Sequence, residues 1–337
     1  MGLEHNQQNA PRFRRLRQNS SIRSLIQEKT LSVSDLIWPI FVIEGQNEAI
    51  DIPTMPGVQR LTIDKAIEAA KFAKKMGIPA LCIFPCVDIK LKSEMCEEAW
   101  NINNLSNRAV AAIKSAVPDI LIMTDIALDP YNINGHDGIV KNGIIVNDQT
   151  VEALVKMAIA QAKSGADILG PSDMMDGRIG SIRTALESSG YYDVIILSYS
   201  AKYASAFYGP FRDAVGASNL LIGDKRTYQA DPSNSDEALR LVARDLAEGA
   251  DMVMIKPGMP YLDVCKRVKD TFLVPTFAYQ VSGEYGMLMA AFNCGMLEEE
   301  SAMLESLLSF KRAGCDGVLT YFAPRLAKIL NESKKLK

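Results

Sequence analysis

The chain has 337 residues, of which 48% are hydrophobic and 23% charged, and its formal net charge is -3. That balance describes a soluble globular protein with no overall attraction for nucleic acid or an acidic membrane. No apolar stretch approaches the length of a membrane span, and Met1 to Asn6 lack the apolar core of a signal peptide. A cytoplasmic protein is expected.

Residues 1–30 read as an extended N-terminal arm. It carries Arg12, Arg14, Arg15, Arg17 and Arg23 among Asn and Ser, with Phe13 as its only aromatic side chain. On an acidic chain with so little aromatic interleaving, this is a solvated or subunit-gripping segment rather than a nucleic-acid site. Residues 31–337 form a single catalytic domain.

Within that domain one local pattern recurs four times: a helical stretch, a glycine, one or two residues, then an apolar strand. It reads Gly77-Ile78-Pro79 before Ala80 to Phe84, and Gly165-Ala166-Asp167 before Ile168-Leu169. It returns as Gly249-Ala250-Asp251 before Met252 to Ile255, and as Gly314-Cys315-Asp316 before Gly317 to Tyr321. Glycine after a helix takes the left-handed conformation that ends it, and the strand that follows is buried on both faces, as parallel strands are. Leu36 to Ile43, Ile120 to Ile126, Val194 to Ser200 and Pro275 to Gln280 complete eight strands. Between them run amphipathic helices, such as the one carrying Val151, Leu154, Val155, Ala158, Ile159 and Ala162, with Asp148 and Thr150 as capping candidates. Eight strands alternating with helices predict an α/β fold, a (β/α)8 TIM barrel. A doubly wound open sheet is the alternative, but no Gly-rich dinucleotide fingerprint follows the first strand.

The six cysteines, Cys82, Cys86, Cys96, Cys265, Cys294 and Cys315, are scattered and mostly sit in apolar runs. Their spacing makes neither a disulfide framework nor a structural zinc site. With only His5 and His136 present, a histidine-rich metal site is excluded.

Lys202 and Lys256 each end an apolar strand, the fifth and the sixth. Active sites of such barrels lie at the C-terminal strand ends, so neighbouring strands aim both lysines into one mouth. Desolvation there disfavours the ammonium, and a second ammonium nearby disfavours it further. A neutral lysine is the nucleophile of Schiff-base chemistry on a carbonyl substrate. The loop from Tyr203 to Asp231 carries Gly209-Pro210, Arg212, Gly216, Gly223 and Asp224-Lys225-Arg226, and suits a lid that binds a carboxylate. Asp125 ends the third strand, Asp129 and Asp137 follow it, and Pro171 to Arg178 follow the fourth. Carboxylates beside two lysines hold a cation, move protons or balance charge, and spacing alone does not choose among these.

Ser198 to Asp213 and Met254-Ile255-Lys256-Pro257-Gly258 resemble the two lysine motifs of the porphobilinogen synthase (5-aminolevulinate dehydratase) family. Pro171 to Arg178, Gln280 to Tyr285 and Arg14-Arg15-Leu16-Arg17 match it too, so the resemblance spans essentially the whole chain. It implies condensation of two 5-aminolevulinate molecules to porphobilinogen with loss of two waters, in tetrapyrrole (heme) biosynthesis. It also implies a Schiff base on Lys256 for one substrate, whose carboxylate Ser282 and Tyr321 bind. A second forms on Lys202, with Arg212 and Lys225 binding that substrate's carboxylate, and Asp125 assists proton transfer. The family needs no organic cofactor, and its arm embraces a neighbouring subunit in a homo-octamer.

The departures concern metal. Zinc-dependent members carry three cysteines after the third strand, where this chain has Ala127, Asp129 and Asp137. Thiolate-held zinc is therefore not expected, and oxygen ligands at Asp129 and Asp137 select magnesium or no metal. Leu241 stands where magnesium-responsive members often carry a glutamate. A class I Schiff-base aldolase is the rival enzyme. It needs one such lysine and usually a phosphate site, and neither Gly283 to Gly286 nor Tyr321 to Pro324 looks like one.

Overall fold

The computed structural model describes residues 12–215, 221 and 223–335. Residues 1–11 of the arm, and Gly216 in the expected lid, lie outside the described residues.

Eight parallel strands close on themselves. They are β1 (Leu36–Ile43), β2 (Ala80–Pro85), β3 (Leu121–Ile126), β4 (Ile168–Pro171), β5 (Ile195–Lys202), β6 (Met252–Lys256), β7 (Thr276–Gln280) and β8 (Gly317–Thr320). Each pairs with the next, and β8 returns to β1 through Leu36↔Val318 and Ile37↔Leu319. Helices cover the outside, so β2, β4 and β8 are buried along their whole length and read as continuous apolar runs. The architecture is the expected (β/α)8 barrel.

The recurrent glycines end helices as expected: Gly77 caps Ile63–Met76 at φ 82° and Gly314 caps Glu299–Ala313 at φ 103°. The aspartate that follows three of those glycines has a role the pattern did not disclose. Asp167 accepts the backbone N–H of Ile122, Asp251 that of Ile196, and Asp316 that of Thr276, each at 2.7 Å. Each also pairs with a helix cation, Lys114, Arg183 or Lys269. One side chain thus satisfies an N–H at the start of the preceding strand and ties it to the outer layer.

Two expectations need adjusting. The helix read from Val151 spans Asn147–Lys163, with Val146 rather than Asp148 or Thr150 at its N-cap. Thr150 lies inside the first turn, where its hydroxyl bonds the Val146 carbonyl and accepts the Ile139 N–H. The loop after β5 is not irregular throughout, because Gly209–Ala214 forms a short helix over the barrel mouth. In the arm, Phe13–Arg17 and Ser20–Leu25 are helical, and none of those residues is buried. Among the described residues no helix is long and apolar enough to cross a membrane.

Candidate active site

Parallel pairing of β5 and β6 sets Lys202 and Lys256 directly opposite one another, both at the C-terminal end of the barrel. Both are buried and line one cavity with Asp129, Asp137, Arg212, Lys225 and Ser282. Side chains from the ends of β3, β5, β6 and β7 and from the lid converge there, as the fold requires of an active site.

The two lysines have different surroundings. Lys202 Nζ lies 3.4 Å from Asp137 Oδ1 and donates to the carbonyl of Ser172. Lys256 Nζ is framed by the ring faces of Tyr279, Tyr199, Tyr208 and Phe211, at 4.8 to 5.4 Å from their centroids. Burial, and next the ammonium of Lys202, pull its pKa down to about 8. At neutral pH a useful fraction of Lys256 is therefore the free amine that attacks carbonyls.

The carboxylates divide by environment. Asp125, at the end of β3, is driven up to about 6 by burial, against the pull of Lys256. Its Oδ1 has no hydrogen-bond partner among the described residues. A carboxyl near 6 exchanges protons readily at neutral pH. Burial would also raise Asp137, but Lys202 and Lys225 outweigh it and hold it below the usual carboxylate range.

Lys225 Nζ stands 3.0 Å from Asp137 and 3.5 Å from Asp129. These are the two carboxylates offered as magnesium ligands, and an ammonium already sits between them. Two oxygens facing a lysine make a poor seat for a divalent ion, which needs about six oxygens in open array. The residues present do not fit a metal here. Leu241 lines a separate outer cavity with Asp176 and Glu237; its side chain has no atom that ligates.

Ser282 and Tyr321 take different places. Ser282 lines the cavity and its hydroxyl accepts the N–H of Phe211, at 2.9 Å, so the lid docks on it. Tyr321 stands behind the wall, with its hydroxyl 2.7 Å from that of Tyr279, whose ring lines the cavity. The ring box around Lys256 was not anticipated. Tyr199 was discernible three residues before Lys202 on the same strand, whereas Tyr208, Phe211 and Tyr279 come from separate segments.

A model of the delta-aminolevulinic acid dehydratase family matches residues 10–329. The chain belongs to this family. It is 62% identical over 319 residues to a delta-aminolevulinic acid dehydratase of Rhodobacter capsulatus, covering 95% of this chain and 96% of that one. To the corresponding protein of Bradyrhizobium diazoefficiens it is 56% identical over 321 residues, covering 95% and 91%. A crystal structure of the Toxoplasma gondii enzyme in complex with its product porphobilinogen superposes with a TM-score of 0.94 at 49% identity, over 97% of this chain and 93% of that one. Like its family, the chain condenses two 5-aminolevulinate molecules to porphobilinogen.

Proposed function

We propose that the condensation runs through Schiff bases on Lys256 and Lys202, in that order. The observation that carries this reading is the register pairing of the two lysines in one cavity. An aldolase needs one such amine, whereas two ketone substrates need two.

The free amine of Lys256 attacks the ketone carbon of the first substrate, water leaves, and an iminium remains. The ring faces around Nζ favour that cation and exclude water from it. The second substrate is held in the same way on Lys202, beside Asp137. The amino group of one substrate and an enamine carbon of the other then form the C–N and C–C bonds of the ring, and both lysines return as amines. Two waters leave overall. Asp125 serves as the proton carrier, because burial sets its carboxyl near neutrality.

Arg212 and Lys225 meet the carboxylate of the Lys202-bound substrate, and Ser282 that of the Lys256-bound one. Tyr321 acts on the same carboxylate only through Tyr279. Lys225 between Asp129 and Asp137 supports a reaction that uses neither thiolate-held zinc nor magnesium at this loop. The exposed, arginine-bearing arm supports a role in subunit contacts of a cytoplasmic homo-octamer.

Incubating the protein with 5-aminolevulinate and assaying for a pyrrole tests the reading. Wild type makes porphobilinogen, and Lys256→Met and Lys202→Met make none. Full turnover in either variant would contradict it.

A further inference from the structure

Glu284 is a wholly buried carboxylate that the chemistry above does not use. Its two oxygens accept three backbone N–H groups from two chain segments. Gly258 donates to Oε2 at 3.1 Å, Val281 donates to the same oxygen at 2.7 Å, and Met259 donates to Oε1. Gly258 and Met259 form the turn directly after Lys256. Val281 precedes Ser282, the first residue of the helix Ser282–Asn293 and part of the cavity wall.

We infer that Glu284 is a positioning residue for the Schiff-base step, clamping the turn after Lys256 to the start of the helix that carries Ser282. The inference rests on the role of Lys256 proposed above. Through the clamp, the amine that attacks the ketone and the hydroxyl that meets the carboxylate of the same substrate keep a fixed separation. A misplacement of about 1 Å at a reacting centre costs on the order of a hundredfold in rate.

A carboxylate suits this task better than an amide. All three groups facing it are donors, and only a carboxylate is acceptor on both oxygens. Burial pushes Glu284 up to about 7, and the N–H groups of Val281, Gly258 and Met259 pull against that. Among the described residues no salt bridge reaches it, so its charge is met by backbone N–H groups alone. The turn it holds has no slack. A Cβ on Gly258 would come within 2.6 Å of the Phe310 ring and 2.9 Å of the Tyr279 carbonyl. On its other side the Lys256 carbonyl is bonded by Tyr203 N–H at 2.9 Å and Tyr208 Oη at 3.2 Å.

The Glu284→Gln variant keeps the shape but turns an amide N–H2 toward one of the backbone donors. The test uses the full chain, with levulinate as a keto acid that forms a Schiff base and cannot condense. Borohydride reduction and peptide mapping then give separate rates of adduct formation at Lys256 and Lys202. We expect the rate at Lys256 to fall by about ten- to a hundredfold, with the rate at Lys202 unchanged, and kcat for 5-aminolevulinate to fall with little change in KM. Glu284→Asp, which keeps both acceptors but withdraws them by one methylene, should fall between the two and carries the same test if Glu284→Gln does not fold. An unchanged rate at Lys256 overturns the inference. Equal losses at both lysines with a lowered melting temperature also overturn it, because they show a structural tie and nothing more. A wild-type protein that forms no adduct at Lys256 overturns the assigned role of Lys256 itself.

Discussion

Gly283 lies against the backbone of Phe207, so closely that a Cβ on the glycine would stand 2.8 Å from the Phe207 Cα and nearer still to its carbonyl oxygen. Phe207 opens the segment that covers the mouth, and Phe211, four residues on, bonds Ser282. The lid thus rests on the first turn of the helix after β7, and only a glycine leaves it room.

Gly283→Ala should therefore hold the lid off its seat rather than unfold the barrel. Overpacking of this kind costs about 1–3 kcal/mol, and here it falls on closure. KM for 5-aminolevulinate should rise roughly five- to a hundredfold, with the melting temperature close to that of wild type. Wild-type KM in this variant would show that the lid does not close on Gly283.

Arg60 anchors the short helix of the lid. Its guanidinium donates to the carbonyls of Ala214 and Asp213, both at 2.7 Å, at the end of the helix Gly209–Ala214. Asp213 also accepts from the Thr54 hydroxyl at 2.7 Å. Arg60→Met keeps the aliphatic stem and removes both bonds, each worth about 1.5–3 kcal/mol when charge-assisted. Amide hydrogen exchange across 209–214 should quicken, and substrate binding through Arg212 should weaken by about tenfold or more. Exchange at the wild-type rate would refute the anchoring role.

The pH profile follows from Lys256. Its pKa of about 8 lies below the ordinary lysine value, so the reactive amine accumulates as pH rises through about 8. The rate of adduct formation at Lys256 should climb through that range and then level. Lys202→Met removes a nearby ammonium that disfavours protonation of Lys256, so the climb should move to higher pH. An unmoved midpoint in Lys202→Met would mean that the two amines do not feel each other.

The barrel and both lysines were legible in the sequence because local chemistry fixes them. Glycine caps, doubly buried strands and a strand-end lysine all show within a dozen residues. What surrounds the lysines was not. Tyr208 and Phe211 reach Lys256 from the lid and Tyr279 from β7, a meeting that only closure of the barrel produces. Asp129 and Asp137 read as metal ligands because their cation, Lys225, comes from a loop about ninety residues away. Glu284 reads as an ordinary acid in the first turn of a helix; its three donors lie on two loops brought together by the fold. Tyr321 was expected at the substrate, and its hydroxyl meets that of Tyr279, whose ring lines the cavity.

In the proposed route Lys256 takes the first substrate as a Schiff base. Borohydride reduction during limited exposure to 5-aminolevulinate, followed by peptide mass mapping, measures this directly. The expected result is an adduct on Lys256 at early times, preserved in Lys202→Met, with modification of Lys202 appearing later. An adduct on neither lysine, or one on Lys202 that precedes and survives without Lys256, would contradict it.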